Sequence, residues 1–257
     1  ALALAQEILE IGQAAGDPFA EGVGYAMLSR ATSAVPDRDH DGVTLAERAV
    51  EILAPLGRAE WTGLAWVRLG VEHHRAGNLH AARDALLRAL ELRRAEPFAG
   101  LVASALISLG AVWFDLDEAQ AALDAYREAL HLAVAEENQT ALLGSLLGLA
   151  DVASRFGAGT LADRTQIALT LAAAAEAHRQ RHGLGRDAIG PAVAQWSALM
   201  REAVVTYAGR SMPVAVTSIE LPEAVELAMQ LGVTSREPDG HEPRPATTLI
   251  GAFGSLQ

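Results

Sequence analysis

The run Asp37-Arg38-Asp39-His40-Asp41-Gly42 places three carboxylates at alternate positions and then a glycine, the layout of the first half of a calcium loop. Such a loop closes with a bidentate glutamate at its twelfth position, where this chain carries Arg48; Glu47 falls one residue early. The run therefore reads as an acidic turn capped by Thr44. Asp37, Asp39 and Asp41 are the nearest thing to a metal set, and no metal is expected. His178 and His182 stand four apart, a spacing that lets two imidazoles share a metal on one helix face. No third ligand accompanies them, and Arg179 and Arg181 add repulsion, so they read as charges at a helix C-terminus. His73, next to His74, reads as a packing residue. Gly157-Ala158-Gly159-Thr160 could rest an anion on the helix it opens, although a turn of this composition is usually only a turn.

Composition removes whole classes of chemistry. All 20 basic residues are arginine, so a P-loop lysine, a Schiff-base lysine and a lysine general base are excluded. There is no cysteine, hence no thiol catalysis and no thiolate metal site. No serine lies in a nucleophile-elbow pattern. The net charge of −12 argues against direct contact with nucleic acid, which needs a concentrated basic face. Arg or Glu interrupts every apolar run before it is long enough to cross a membrane. The expectation is a cytoplasmic binding protein rather than an enzyme, without a cofactor.

The elements that would position any site are helices. Aromatic residues are 5% of the chain while Ala and Leu fill the apolar share, a balance that favours helix over sheet. Self-similarity organises them. Leu69-Gly70 is followed 40 residues later by Leu109-Gly110, and 40 later again by Leu149-Ala150. Ala82 recurs as Ala122, Leu86 as Tyr126, and Ala89-Leu90 as Ala129-Leu130. Upstream, Leu28-Ser29 stands 41 before Leu69-Gly70. Each unit offers a small residue where helices approach and a large apolar residue a turn away, so stacked neighbours must supply the core.

Turn and cap residues cut the repeats into helices. They are expected over 3–15, from Asp17-Pro18 to about 34, and from a Thr44/Glu47 capping box to about 57. Further helices are expected over 60–76, 79–95, 97–114, 118–136, 139–156 and 162–182. Gly190-Pro191 starts another, and Pro222 starts the last, ending by Gly232; residues 214–219 form a β-branched stretch that could be extended. From Thr234 the prolines indicate a linker, after which Leu249, Ile250, Phe253 and Leu256 restore an apolar face expected to dock on a repeat surface.

Trp66-x2-Leu69-Gly70-x2-His73, with Ala82, Leu86 and Ala89, resembles a tetratricopeptide repeat, with His73 where Tyr is usual. Leu106, Leu109-Gly110, Trp113, Ala122, Tyr126 and Ala129 match the next unit. The period of 40 exceeds the usual 34 and implies longer helices. Long repeats of this kind resemble the C-terminal half of large ATP-binding regulators of the LuxR type and related actinobacterial activators. Leu171-Ala172-Ala173-Ala174-Ala175-Glu176-Ala177-His178-Arg179 is similar to that family's "LLGAAEALR" helix. Gly209-Arg210-x-Met212 with Leu221-Pro222-Glu223-Ala224-Val225 is similar to its "EGRAMSLEEAV" segment, which 214–218 interrupt here.

The resemblance implies an all-α, right-handed solenoid of antiparallel helix pairs. Repeats would fill 1–183, capping helices 184–232, and a linker with an apolar tail 233–257. It implies a chain that is a piece of a longer regulator, with an ATPase domain upstream. It also implies a groove lined by the first helix of each pair, where Arg30, Arg68, His74, Arg75, Ser104, Ser108, Asp115, Asp151 and Arg155 would point. Arg68 and Arg75 are seven apart and share a face. They could meet a carboxylate or phosphate on a partner, or form intrahelical pairs with Glu72. The implied partner is a protein or peptide, another domain of the parent, or a small inducer, with homo-oligomerisation also open. A free-standing scaffold using the same groove is the alternative, and a helical enzyme or metal protein the third reading.

Overall fold

The computed structural model describes residues 2–32, 39–94, 99–184 and 219–234. Among these the secondary structure is helical: α1 (Leu2–Ala15), α2 (Pro18–Thr32), α3 (Asp39–Leu53, continued by a short 3₁₀ turn, Ala54–Leu56), α4 (Ala59–Arg75), α5 (Leu79–Arg94), α6 (Ala99–Asp115), α7 (Ala119–Ala135), α8 (Gln139–Phe156), α9 (Leu161–Arg181) and α10 (Leu221–Gln230). Consecutive helices from α1 to α5, and again from α7 to α9, pack side by side through short turns, the arrangement of a tetratricopeptide-like α-solenoid. The chain forms two compact units, Ala1–Val112 and Trp113–Gln257. The helix expected from Gly190-Pro191, the stretch at 214–218 and the tail from 235 lie outside the described residues.

Local chemistry sets the helix ends. Gly16 takes a left-handed φ of 62°, and the Asp17 carboxylate then accepts the Phe19 amide at 2.9 Å to open α2. The turn after α4 has Gly77 at φ 77°, with the amides of Gly77 and Asn78 returned to His74 and His73 carbonyls. The same turn recurs with Asp117 at φ 62° and Glu137 at φ 52° in the glycine position. Asn138 caps α8 by accepting the Ala141 amide at 3.1 Å, and Thr160 with Asp163 forms a reciprocal capping box on α9.

One expected boundary is corrected. Thr44 does not cap α3, because the helix already begins at Asp39 and Thr44 lies inside it. The cause is tertiary. The Ser29 hydroxyl donates to the Gly42 carbonyl at 2.9 Å in a buried contact, and the Glu72 carboxylate fills the space beside Gly42 where a Cβ would stand. α3 is thereby continued one turn upstream, between α2 and α4.

In the first unit the core gathers Ala46, Ala49, Leu53, Ala65, Leu69 and Ala85. Gly70 brings α4 so close to α5 that a Cβ there would lie 2.5 Å from Leu86 Cγ. Gly12 does the same between α1 and α2, 2.5 Å from the Glu21 amide nitrogen. In the second unit every residue from Ala141 to Ala150 is buried, so α8 is the central element between α7 and α9, with α10 also against it. Leu69, Ala82, Leu109, Ala122 and Ala129 are buried as the repeat pattern requires, and so are Gly70 and Gly110.

Candidate functional site

The nine residues expected to line a groove fall on first helices in both units, and their surroundings differ in kind. In the first unit Arg30 stands near the end of α2, and Arg68, Glu72 and Arg75 succeed one another on one face of α4. Arg30 and Arg75 are exposed, Arg68 is half-buried and Glu72 is only 2% exposed. Burial pushes the Arg68 pKa down; Glu72 opposes that shift, while the like charges of Arg30 and Arg75 add to it. Arg30, Glu72 and Arg75 thus all act on Arg68, from α2 and from α4 itself. His74 is half-buried beside them in sequence. Ser104 and Ser108 lie on α6, where the Ser108 hydroxyl donates to the Ser104 carbonyl at 3.1 Å and serves the helix backbone.

In the second unit the expected residues are carboxylate-centred. Asp115 and Asp151 flank the buried Tyr126, whose phenol is held well above its usual pKa, first by burial and then by these two charges. The Tyr126 ring lies where a Gly148 side chain would stand, so the helix contact itself fixes this phenol. Arg155 does not stand as an open groove cation. It pairs with Asp117 at 2.5 Å, donates to the Phe114 carbonyl at 3.3 Å and stacks 5.0 Å from the ring centroids of both Phe114 and Phe156. It clamps the end of α6 to the end of α8.

The metal candidates separate in the same way. Asp37 lies outside the described residues, and Asp39 and Asp41 belong to the first turn of α3. Gly42 is inside that helix rather than at the sharp turn a calcium loop needs, so the half-motif is not folded as such a loop. His178 is buried and stacks on His182 with ring centroids 4.3 Å apart. Its Nε2 meets the Gln139 side-chain oxygen, and its Nδ1 has no hydrogen-bond partner among the described residues. Burial, then His182 and Arg181, lower its pKa. The glycine-rich turn after α8 is occupied by the chain itself: the Ala158 amide donates to the Gly232 carbonyl at 3.1 Å, and Gly157 bridges to Val233.

That last contact belongs to the helix expected from Pro222 to Gly232, whose tie to Arg127 the sequence reading did not foresee. Residues 219–234 return onto α7, α8 and α9, with Ala224, Ala228 and Leu231 buried. Arg127 of α7 donates to the carbonyls of Ala228, at 3.4 Å, and Leu231, at the C-terminal end of α10 where unpaired carbonyls collect. The Thr234 amide donates to the Phe156 carbonyl at 3.0 Å. The one available signal was that position 127 carries arginine where the preceding repeat has Leu87.

No protein-family model matches this sequence, and no curated protein matches it. Among solved structures it is similar to BtubC (BKLC) from P. vanneervenii, at 17% identity and a TM-score of 0.59, over 96% of this chain and 94% of that one. It is also similar to MamA protein, at 15% identity and a TM-score of 0.33, over 83% of this chain and 97% of that one. The likeness to BtubC supports the fold and nothing beyond it. Among the described residues, no helix is long and apolar enough to cross a membrane.

Proposed function

We propose that this chain is a non-catalytic recognition module that takes an acidic segment of a protein partner on the first-helix face of its first unit. The observation that carries this reading is that half-buried Arg68 on α4 stands within electrostatic reach of Arg30 on α2 and of Arg75 on its own helix, with Glu72 as the carboxylate between the two arginines of α4. Helical repeats offer an extended face for a peptide or a helix, and arginine is suited to carboxylates and phosphates through its planar fork of donors. In a chain of net charge −12, a face carrying arginines repels an acidic partner less than the chain as a whole does.

The module serves in this proposal as the sensor or interaction region of an ATP-binding regulator of the LuxR type. Support comes from the two resembling segments, which the fold brings together: residues 171–179 lie in α9, and residues 221–225 open α10, which packs on α9. Peptide display on the purified protein tests the recognition part. Selected peptides should be rich in Asp and Glu, and an Arg30→Gln/Arg75→Gln variant should lose that selection. Enrichment of basic or apolar peptides, or selection indifferent to both arginines, refutes it. The full reading frame tests the parent, since a LuxR-type regulator requires a P-loop ATPase upstream.

A further inference from the structure

Gly16 and Gly57 both take left-handed φ values, 62° and 69°, and stand 41 residues apart, the separation of Leu28-Ser29 from Leu69-Gly70. α1, which ends at the first of these turns, is therefore the counterpart of α3, and Leu4, Ile8 and Ile11 hold the places of Leu45, Ala49 and Ile52. In α3 this stripe is covered. Ala49 is fully buried, Leu45 and Ile52 are half-buried, and Ile52 Cγ2 lies 3.2 Å from where a Cβ on Gly22 of α2 would stand. In α1 the same stripe stands open: Leu4 is 60% exposed and Ile11 59%, with half-buried Ile8 between them on one helix face.

Two residue changes set the open stripe apart from the joints inside the repeats. α3, α5 and α7 place Ala49, Ala89 and Ala129 at its centre, the small residue that permits close crossing, where α1 has the bulkier Ile8. Beside the stripe, Arg48 pairs with Glu51 at 2.9 Å in α3, and Arg88 pairs with Glu91 at 2.9 Å in α5. The same two places in α1 are Glu7 and Glu10. A second carboxylate thus replaces the arginine that balances the glutamate, one turn along the helix and next to exposed leucine and isoleucine. The first 29 residues carry Glu7, Glu10, Asp17 and Glu21 and no basic side chain.

We propose that this face of α1 is a docking surface for an amphipathic helix of a partner protein, one that sets an apolar stripe on Leu4, Ile8 and Ile11 and lysine or arginine against Glu7 and Glu10. Exposed apolar stripes at helical spacing are seats for a helix. The charge chooses the occupant. A second copy meeting α1 on α1 would bring Glu7 and Glu10 against their own equivalents, and an anionic lipid surface would be repelled by the same carboxylates. A helix with a basic flank supplies the arginine that α3 and α5 carry for themselves. The surface is distinct from the arginine face of α2 and α4 and takes the opposite charge.

The test is selection on the full chain from a displayed library of helical peptides with a fixed leucine stripe and randomised flanks. Basic flanks should be enriched. A selected peptide should bind about five-fold more tightly than its analogue with glutamate at the flank, the scale of two exposed ion pairs, and high salt should erase that advantage. Ile11→Asp, at an exposed position, should remove binding with an unchanged circular dichroism spectrum. Glu7→Arg restores the pairing of α3 and should bring the two peptides level while both still bind. Arg30→Gln/Arg75→Gln should leave the selection as it is, which separates this surface from the proposed acidic-partner face. Flanks selected without regard to charge, no selection above background, or equal binding by the Ile11→Asp protein overturns the proposal. A dimer in sedimentation that Ile11→Asp dissolves gives the face to a second copy instead. Capture on phosphatidylglycerol vesicles that the same variant abolishes gives it to a membrane, and a reading frame encoding such a helix directly before residue 1 gives it to the same polypeptide; each of these overturns the separate partner.

Discussion

Replacing Gly148 by alanine sets two effects of known size against each other. Gly148 lies inside α8, where alanine is favoured over glycine by about 1 kcal/mol when the position is open. Here it is closed. The new Cβ would fall among Cε1, Cζ and Cδ1 of Tyr126, a ring only 5% exposed and held between α7 and α8. Overpacking of a dense core costs about 1–3 kcal/mol, and a stiff ring wedged between two helices places this case in the upper half of that range. The net expectation is a loss of about 1–2 kcal/mol, measured by urea denaturation followed by circular dichroism. In a Tyr126→Leu background the obstacle is gone, and Gly148→Ala should become neutral or stabilising by up to about 1 kcal/mol. The coupling between the two sites should therefore be about 2 kcal/mol and opposite in sign to simple additivity of two core lesions. A Gly148→Ala protein more stable than the parent, or equal effects in both backgrounds, would refute the helix contact and with it the register of the second unit.

Two further outcomes are expected. His178 has a lowered pKa in the fold, from burial and from His182 and Arg181, while α8 faces it with the neutral amide of Gln139. The unfolded chain therefore binds the extra proton first, and stability should fall as pH drops below about 6.5; His178→Gln should flatten the urea-midpoint profile between pH 7.5 and 5, and an unchanged slope would contradict this. Arg127→Met removes the two carbonyl contacts at the end of α10. Losing about 1.5 kcal/mol of charged hydrogen bonding should speed amide exchange across 221–234 about ten-fold while α8 stays protected, and equal protection in both proteins would show that the clamp is not what holds the segment.

Much of the fold was legible because repetition and glycine mark it. The Leu69-Gly70 pair marked the close crossing of α4 on α5, and Gly16 and Gly77 marked left-handed turns that the structure contains. The same left-handed turn at Asp117 and Glu137 carried no glycine to announce it. The start of α3 was misread for a related reason. Thr44 with Glu47 satisfies a local capping pattern, yet Ser29 and Glu72, distant in sequence, hold Gly42 within the helix. Of the site, the arginine face of α4 was readable from spacing alone. The role of Arg155 was not, because its partners Asp117 and Phe114 lie about 40 residues away and only the fold brings them to it.

The contact between Arg127 and Leu231 spans 104 residues, whereas among the described residues the helices α1 to α5 meet neighbours one or two places away in sequence. Most of this chain can therefore assemble from its N-terminus as it leaves the ribosome, each helix finding its neighbour within a few tens of residues of synthesis. α7 cannot finish in that order. Its arginine waits for a segment made about 100 residues later, several seconds at ordinary rates of elongation. Until then the face of α7, α8 and α9 that receives Ala224, Ala228 and Leu231 stands open on the nascent protein. Closing this long loop is the slowest kind of contact for a helical protein to make, and it makes the emergence of residues 219–234, rather than of any one repeat, the moment at which α7 gains these last carbonyl contacts.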